Sequence, residues 1–192
     1  MRNDISIAVL CGGKSVRFGS NKALHKIDGK PMYRHVLDKV SGLTDDVFLQ
    51  VGTGNASLPE RTNEDIFPDV GPLGGIVSAL DFAAHDRIFV IACDMLFFDI
   101  RMFDELALLS DADIVVPRWR DGKTEPLCAT YSKHVEGIGR RLLSEGHSKV
   151  SSLFLRAAKT AYLEIEPLIE QGRVSRDCFV NINSPGDLPG SG

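Results

Sequence analysis

Four short apolar runs mark the first two thirds of the chain, at residues 5–10, 47–51, 88–93 and 114–117, and between them apolar residues recur at helical spacing. Strand-like runs that alternate with amphipathic segments are the signature of parallel βαβ units, so the pattern predicts an α/β fold. One helix is expected after Pro31, with Met32, Val36, Leu37 and Val40 on a single face, and another after Pro72, with Leu73, Ile76, Val77 and Leu80. Ile100, Phe103, Leu106 and Leu109 outline a third face, and Val135, Ile138 and Leu142 a fourth. Farther on, Leu153, Phe154 and Ala157 predict a short helix, residues 162–165 a late strand, residues 166–177 a polar connection, and Ser184-Pro185 the start of a last short helix.

The most informative segment lies between the first strand and the first helix. There Leu10, Cys11, Gly12 and Gly13 are followed by Lys14, Arg17, Gly19 and Lys22. Glycines at such a turn let the backbone approach a ligand with no Cβ in the way, and Arg17 and Lys22 can neutralise phosphate oxygens. Glycines alone would do no more than shape a tight strand-to-helix turn. Lys14, Arg17 and Lys22 within nine positions turn the reading toward a bound polyphosphate. A Walker loop is excluded, because Ala8 stands where its first glycine would be, and no G-x-G-x-x-G spacing is present.

Composition narrows the class. With 192 residues, 43% of them hydrophobic and 25% charged, the chain can bury one good core and is short for two. A formal charge of -4 argues against nonspecific nucleic-acid binding. Cys11, Cys93, Cys128 and Cys178 show no C-x-x-C spacing, and the five histidines are dispersed singly, so neither zinc nor structural disulfides are expected. An apolar leader and a membrane-length apolar run are both missing, which predicts a cytoplasmic protein with no membrane partner.

In open α/β sheets ligands lie beyond the carboxyl ends of the strands, so residues that follow strands carry the chemistry. Asp94 follows such a run and is the candidate ligand for a Mg²⁺ ion bridging the phosphates. Asp65 and Asp69 precede Gly71-Pro72-Leu73-Gly74-Gly75, and either carboxylate could accept from guanine N1–H and its exocyclic amine, or simply form a turn. The segment from Glu125 to Tyr131 and the Asn181-Ile182-Asn183 run read, on spacing alone, as structural.

Together these segments resemble the molybdenum cofactor guanylyltransferases. Their L-A-G-G-x-S-x-R-M-G-x-x-K is similar to residues 10–22, with Cys11 for alanine and Phe18 for methionine. Their G-P-L-x-G, C-D-M-P and E-P-L-x-A-x-Y correspond to 71–75, 93–96 with Leu96 for proline, and 125–131, and their F-x-N-I-N-x-P-x-D-L to 179–188. Gln50 stands where the family often has an asparagine, and its contact is left unassigned. The resemblance implies a three-layer α/β/α Rossmann-like domain with a mostly parallel sheet over residues 1–192, with 1–100 mainly for the nucleotide and 101–188 mainly for the acceptor. It implies GTP held by Leu10, Cys11, Gly12 and Gly13, phosphates contacted by Lys22 and Arg17, the base by Asp65, and Mg²⁺ by Asp94.

The implied reaction transfers GMP from GTP to the terminal phosphate of molybdopterin and releases pyrophosphate, for delivery to enzymes that accept the finished cofactor. Arg118, Arg120 and Lys123 are expected to offer positive charge to the pterin. The first loop equally suits a relative that uses CTP on molybdopterin or a nucleoside triphosphate on a sugar phosphate. A noncatalytic GTP-binding protein would lack Lys22 or Asp94, and both are present.

Overall fold

The computed structural model describes residues 2–12, 22–52, 58–182 and 187. Its centre is a seven-stranded sheet of order β5-β4-β1-β6-β8-β7-β9. The strands are β1 (Ser6–Leu10), β4 (Val47–Val51), β5 (Thr62–Glu64), β6 (Arg87–Ala92), β7 (Ile114–Arg118), β8 (Cys128–Ser132) and β9 (Thr160–Glu164), and a two-stranded hairpin of β2 (Lys26–Ile27) and β3 (Lys30–Pro31) lies apart. β1 pairs in parallel with β4 and β6, β4 with β5, and β7 with β9, while β8 runs antiparallel between β6 and β7.

A strand covered on both faces must be apolar throughout, and β1 is buried along its whole length. Ile7 and Val9 face one layer and Ala8 and Leu10 the other, as the two-residue period of a strand requires. Onto the first face pack α1 (Met32–Val40), α3 (Arg101–Ala107) and α6 (Ile165–Glu170), through Val36, Phe103 and Leu168. The second face is covered by α2 (Pro72–Phe82), α4 (Glu136–Ser144) and α5 (Ser151–Phe154), through Ile76, Leu142 and Leu153. This is the three-layer α/β/α arrangement, and the sheet is mostly parallel. No described helix is long and apolar enough to cross a membrane.

The predicted strands appear within two residues and the helices within three of the expected bounds, β2, β3 and β8 are strands that the apolar runs do not predict, and three further differences stand out. The polar connection expected over 166–177 is in part α6, where Ile165 and Leu168 bury one face of an otherwise charged turn. The three-residue β5 was not foreseen, because its Thr-Asn-Glu sequence has no apolar signal and its side chains are not buried. The late strand is β9, which ends where the expected one was to end but for Ile165, the first residue of α6. The expected helix beginning at Ser184-Pro185 falls outside the described residues.

Candidate active site

The carboxyl ends of β5, β4, β1 and β6 lie side by side in that order, so the segments that follow them form one rim. Beyond β1, the Cys11 amide donates to the Gln50 carbonyl at 2.8 Å and the Leu10 carbonyl accepts from the Cys93 amide at 3.0 Å. The loop that starts at Gly12 is therefore tied to β4 on one side and to β6 on the other. Leu10, Cys11 and Gly12 are all at this point, with Cys11 buried and Gly12 exposed. Gly13 and Arg17 lie outside the described residues.

On the β6 side, Lys22 Nζ donates to Asp94 Oδ2 at 2.6 Å, and the two side chains are 15% and 19% exposed. The sequence separates them by 72 positions, and the topology brings them together because β1 and β6 are neighbours. Asp94 is held at its backbone: its carbonyl accepts from the Ile182 amide at 3.1 Å, and Ile182 is buried with Ile27 and Met32. Ile182, in the middle of the Asn181-Ile182-Asn183 run, thus holds the backbone of the metal candidate from behind. The other carboxylate oxygen, Oδ1, is buried and has no hydrogen-bond partner among the described residues.

A buried carboxylate oxygen left without a partner is costly unless a ligand satisfies it. No group of three or more His, Cys, Asp or Glu side chains suited to a metal exists among the described residues. A single carboxylate fits a hard divalent cation that completes its shell with phosphate oxygens and water, which is how Mg²⁺ is commonly held. It does not fit zinc or another ion that needs an all-protein cage.

On the β5 side stands Asp65. Its amide donates to the Val51 carbonyl at 2.9 Å and its Oδ1 accepts from Gln50 Nε2 at 2.6 Å. Its Oδ2 lies 3.6 Å from where a Cβ on Gly12 would be, and its Oδ1 3.6 Å from the corresponding point on Gly75. Both glycines border the carboxylate, and a Cβ at either would meet it at ordinary contact distance. Burial raises the Asp65 pKa above the ordinary carboxylate range, and the Gln50 hydrogen bond works against that rise. Asp69 is exposed in the turn before α2, with a left-handed φ of 62°. Of the two aspartates weighed from sequence, Asp65 is the one against the loop.

Gly74 serves packing, since a Cβ there would meet the Phe67 carbonyl oxygen at 2.8 Å. The Glu125 segment is likewise architectural in part. Tyr131 is fully buried and its hydroxyl donates to the Pro126 carbonyl at 2.7 Å, while buried Glu125 accepts from Trp119 Nε1 at 2.8 Å. The basic tract differs from expectation, because each of its cations has a carboxylate partner. Arg118 pairs with Glu164 at 2.5 Å and stacks on Tyr162, Arg120 pairs with Glu170 at 2.6 Å, and Lys123 with Glu125 at 2.9 Å. Their charge is locally balanced, so the tract is not a free positive patch.

Residues 7–160 match the family model described as the MobA-like NTP transferase domain. The chain is 33% identical to a probable molybdenum cofactor guanylyltransferase of Methanothermobacter thermautotrophicus, over 95% of this chain and 96% of that one. It is also 33% identical to the molybdenum cofactor guanylyltransferase of Desulfosudis oleivorans, over 76% and 74% of the two chains. Among solved structures, molybdopterin-guanine dinucleotide biosynthesis protein A from Archaeoglobus fulgidus superposes with a TM-score of 0.80 at 25% identity, covering 95% of this chain and 94% of that one.

Proposed function

The chain belongs to the MobA-like NTP transferase family, a group of nucleotidyltransferases, and from that premise we propose that it transfers the GMP group of GTP to the terminal phosphate of molybdopterin. The observation that carries the reading is the Lys22–Asp94 pair, one carboxylate oxygen engaged and the other buried without a partner among the described residues, beside a glycine loop on the same rim as Asp65. In this reading the nucleotide lies across the rim with its base at Asp65 and its phosphates over Gly12 toward Lys22, which the neighbouring carboxyl ends of β5, β4, β1 and β6 support. Gly13 and Arg17, which lie outside the described residues, are assigned to phosphate binding by the family motif they match.

An oxygen of the acceptor phosphate attacks the α-phosphorus of GTP, the bond from that phosphorus to the bridging oxygen breaks, and pyrophosphate departs. The attacking oxygen is already ionised, so no general base is needed and the protein's task is alignment and charge neutralisation. Lys22 supplies a fixed cation to the leaving pyrophosphate. Asp94 would hold Mg²⁺, which supplies further neutralisation of the phosphates when bound. Residues 101–188 supply the acceptor side, and the enzyme acts in the cytoplasm on small-molecule substrates before the dinucleotide cofactor passes to the enzymes that use it.

The test is to mix the protein with labelled GTP, Mg²⁺ and molybdopterin, and in parallel with CTP, ATP and UTP. Pyrophosphate release and a guanine dinucleotide product with GTP alone are expected. Release with CTP in preference to GTP would reassign the base, and none with any nucleotide would remove the transferase reading.

A further inference from the structure

Behind Asp65 runs a chain of polar groups, Gln50 and Ser78 buried and Asn63 partly so, that the phosphate chemistry does not use. Asn63 Nδ2 donates both to the Gln50 Oε1 at 2.9 Å and to the Ser78 carbonyl at 3.1 Å. Only an amide nitrogen, with its two hydrogens, can serve both acceptors, so the Asn63 side chain has one orientation. Gln50 is 1% exposed and its amide oxygen is taken by Asn63, which leaves its NH₂ facing Asp65. Ser78 closes the chain, accepting from the Ile66 amide at 3.0 Å and donating to the Gly74 carbonyl at 2.8 Å, so α2 and the segment after β5 hold it in place.

We infer that Asn63 and Gln50 are positioning residues for base selection, a relay that fixes the plane and the ionised state of the Asp65 carboxylate so that it recognises the N1–H and exocyclic amine of guanine as a pair. The inference rests on the reading of Asp65 as the base contact. Each carboxylate oxygen can accept two hydrogen bonds, so with Gln50 on Oδ1 there is capacity left on Oδ1 and all of Oδ2 for the two guanine donors. Around the carboxylate stand Gln50 from β4, Gly12 from the loop after β1 and Gly75 from α2, and no charged side chain among the described residues influences its ionisation. Among the described residues, the group that opposes its neutralisation by burial is therefore the Gln50 amide. Gln50 reaches the nucleotide through Asp65 and Asn63 reaches it through Gln50.

The relay predicts what reversing one amide does. In Asn63→Asp the side chain can no longer donate, so the Gln50 NH₂ turns to the new carboxylate and its oxygen is brought against Asp65. Asp65 then takes up a proton or swings away. The probe is equilibrium binding of GTP and ITP in the presence of Mg²⁺, because hypoxanthine keeps N1–H and lacks the exocyclic amine. The parent protein should bind GTP roughly tenfold more tightly than ITP, the worth of one hydrogen bond to a charged group. In Asn63→Asp, GTP affinity should fall roughly 100-fold and ITP affinity roughly tenfold, taking the ratio to about one. The pH at which GTP affinity is half lost should also move upward. The ratio does not depend on the folded fraction, and Gln50→Glu, which keeps the acceptor for Asn63 but turns an oxygen toward Asp65, should collapse it in the same way. Should either variant bind nucleotide with the parent's GTP to ITP ratio, the relay is wrong while the guanylyl reading stands. Should the parent bind GTP no better than CTP or ATP, both fall together.

Discussion

Asp46 and Asp94 stand at opposite rims of one sheet, and the way their oxygens are satisfied differs. At the amino-terminal rim, Asp46 is buried just before β4, and its Oδ2 accepts from Ser6 Oγ at 2.5 Å and from the Ala84 amide at 2.8 Å. Its Oδ1 pairs with Arg61, whose guanidinium lies over the Phe82 ring at 4.6 Å. Each carboxylate oxygen has a partner drawn from β1, the α2–β6 connection or the residue just before β5. At the carboxyl rim, Asp94 has Lys22 on one oxygen and, among the described residues, no partner on the other. A carboxylate that its own protein saturates holds elements together, whereas one left half-saturated in a buried place is free to take a ligand.

The comparison breaks most visibly at Asp94. Asp94→Asn should lower Mg²⁺-dependent pyrophosphate release by roughly a thousandfold or more, with circular dichroism unchanged, because the amide no longer offers a charged ligand. A metal titration curve identical to the parent's would detach Asp94 from the metal. Lys22→Ala follows, with turnover expected to drop by roughly two to three powers of ten, the range for loss of one preorganised charge-stabilising group. Near-normal turnover in that variant would mean that Lys22 serves only to pair Asp94.

The opposite rim should respond in stability and not in rate. Asp46→Ala leaves Ser6 Oγ and the Ala84 amide short of an acceptor and Arg61 without its anion, and should reduce unfolding free energy by about 3 kcal/mol in urea titrations. The protein that remains folded should turn over as the parent does. A variant that kept its stability and lost its activity would join the two rims functionally and dissolve the contrast between them.

The two rims were not equally legible. Lys22 and Asp94 stand out because glycines, cations and a carboxylate placed directly after apolar strands have few purely structural uses, and the fold needed only to make β1 and β6 neighbours. Asp46 sits in a run of polar residues before a strand and gives no sign of its burial, which arises from Ser6, Ala84 and Arg61, 15 to 40 positions away. Gln50 showed as a polar residue in an apolar strand, yet its direction depends on Asn63 across the β4–β5 pair, and β5 carries no apolar pattern by which to find it. Arg118 and Arg120 read as available charge from sequence because their partners Glu164 and Glu170 come from β9 and α6, and β9 reaches β7 only through the sheet order, whereas the partner of Lys123 is the nearby Glu125. The apolar period reports which residues face the core and is silent on which polar groups find one another.

Asp65 lies between these extremes and offers the smallest expected effect, a dependence on pH. Burial raises its pKa in the folded protein above the usual carboxylate range, with the Gln50 hydrogen bond as a partial offset. A carboxyl group whose folded pKa exceeds its unfolded pKa destabilises the fold when ionised, and that penalty is relieved as pH falls through the folded value. GTP binding should show the opposite sense, since the protonated group loses acceptor capacity for the guanine donors. Lowering the pH from neutrality through the weakly acidic range should therefore weaken GTP by a few-fold while leaving Tm level or slightly higher, before general acid unfolding sets in. Asp65→Asn should remove that pH dependence of affinity and raise Tm at neutral pH, because it takes an incompletely satisfied charge out of a half-buried place. If affinity and Tm instead fell together over the same interval in the parent, the loss of binding would follow from unfolding, and Asp65 would rank with Asp46 as a carboxylate that serves the fold.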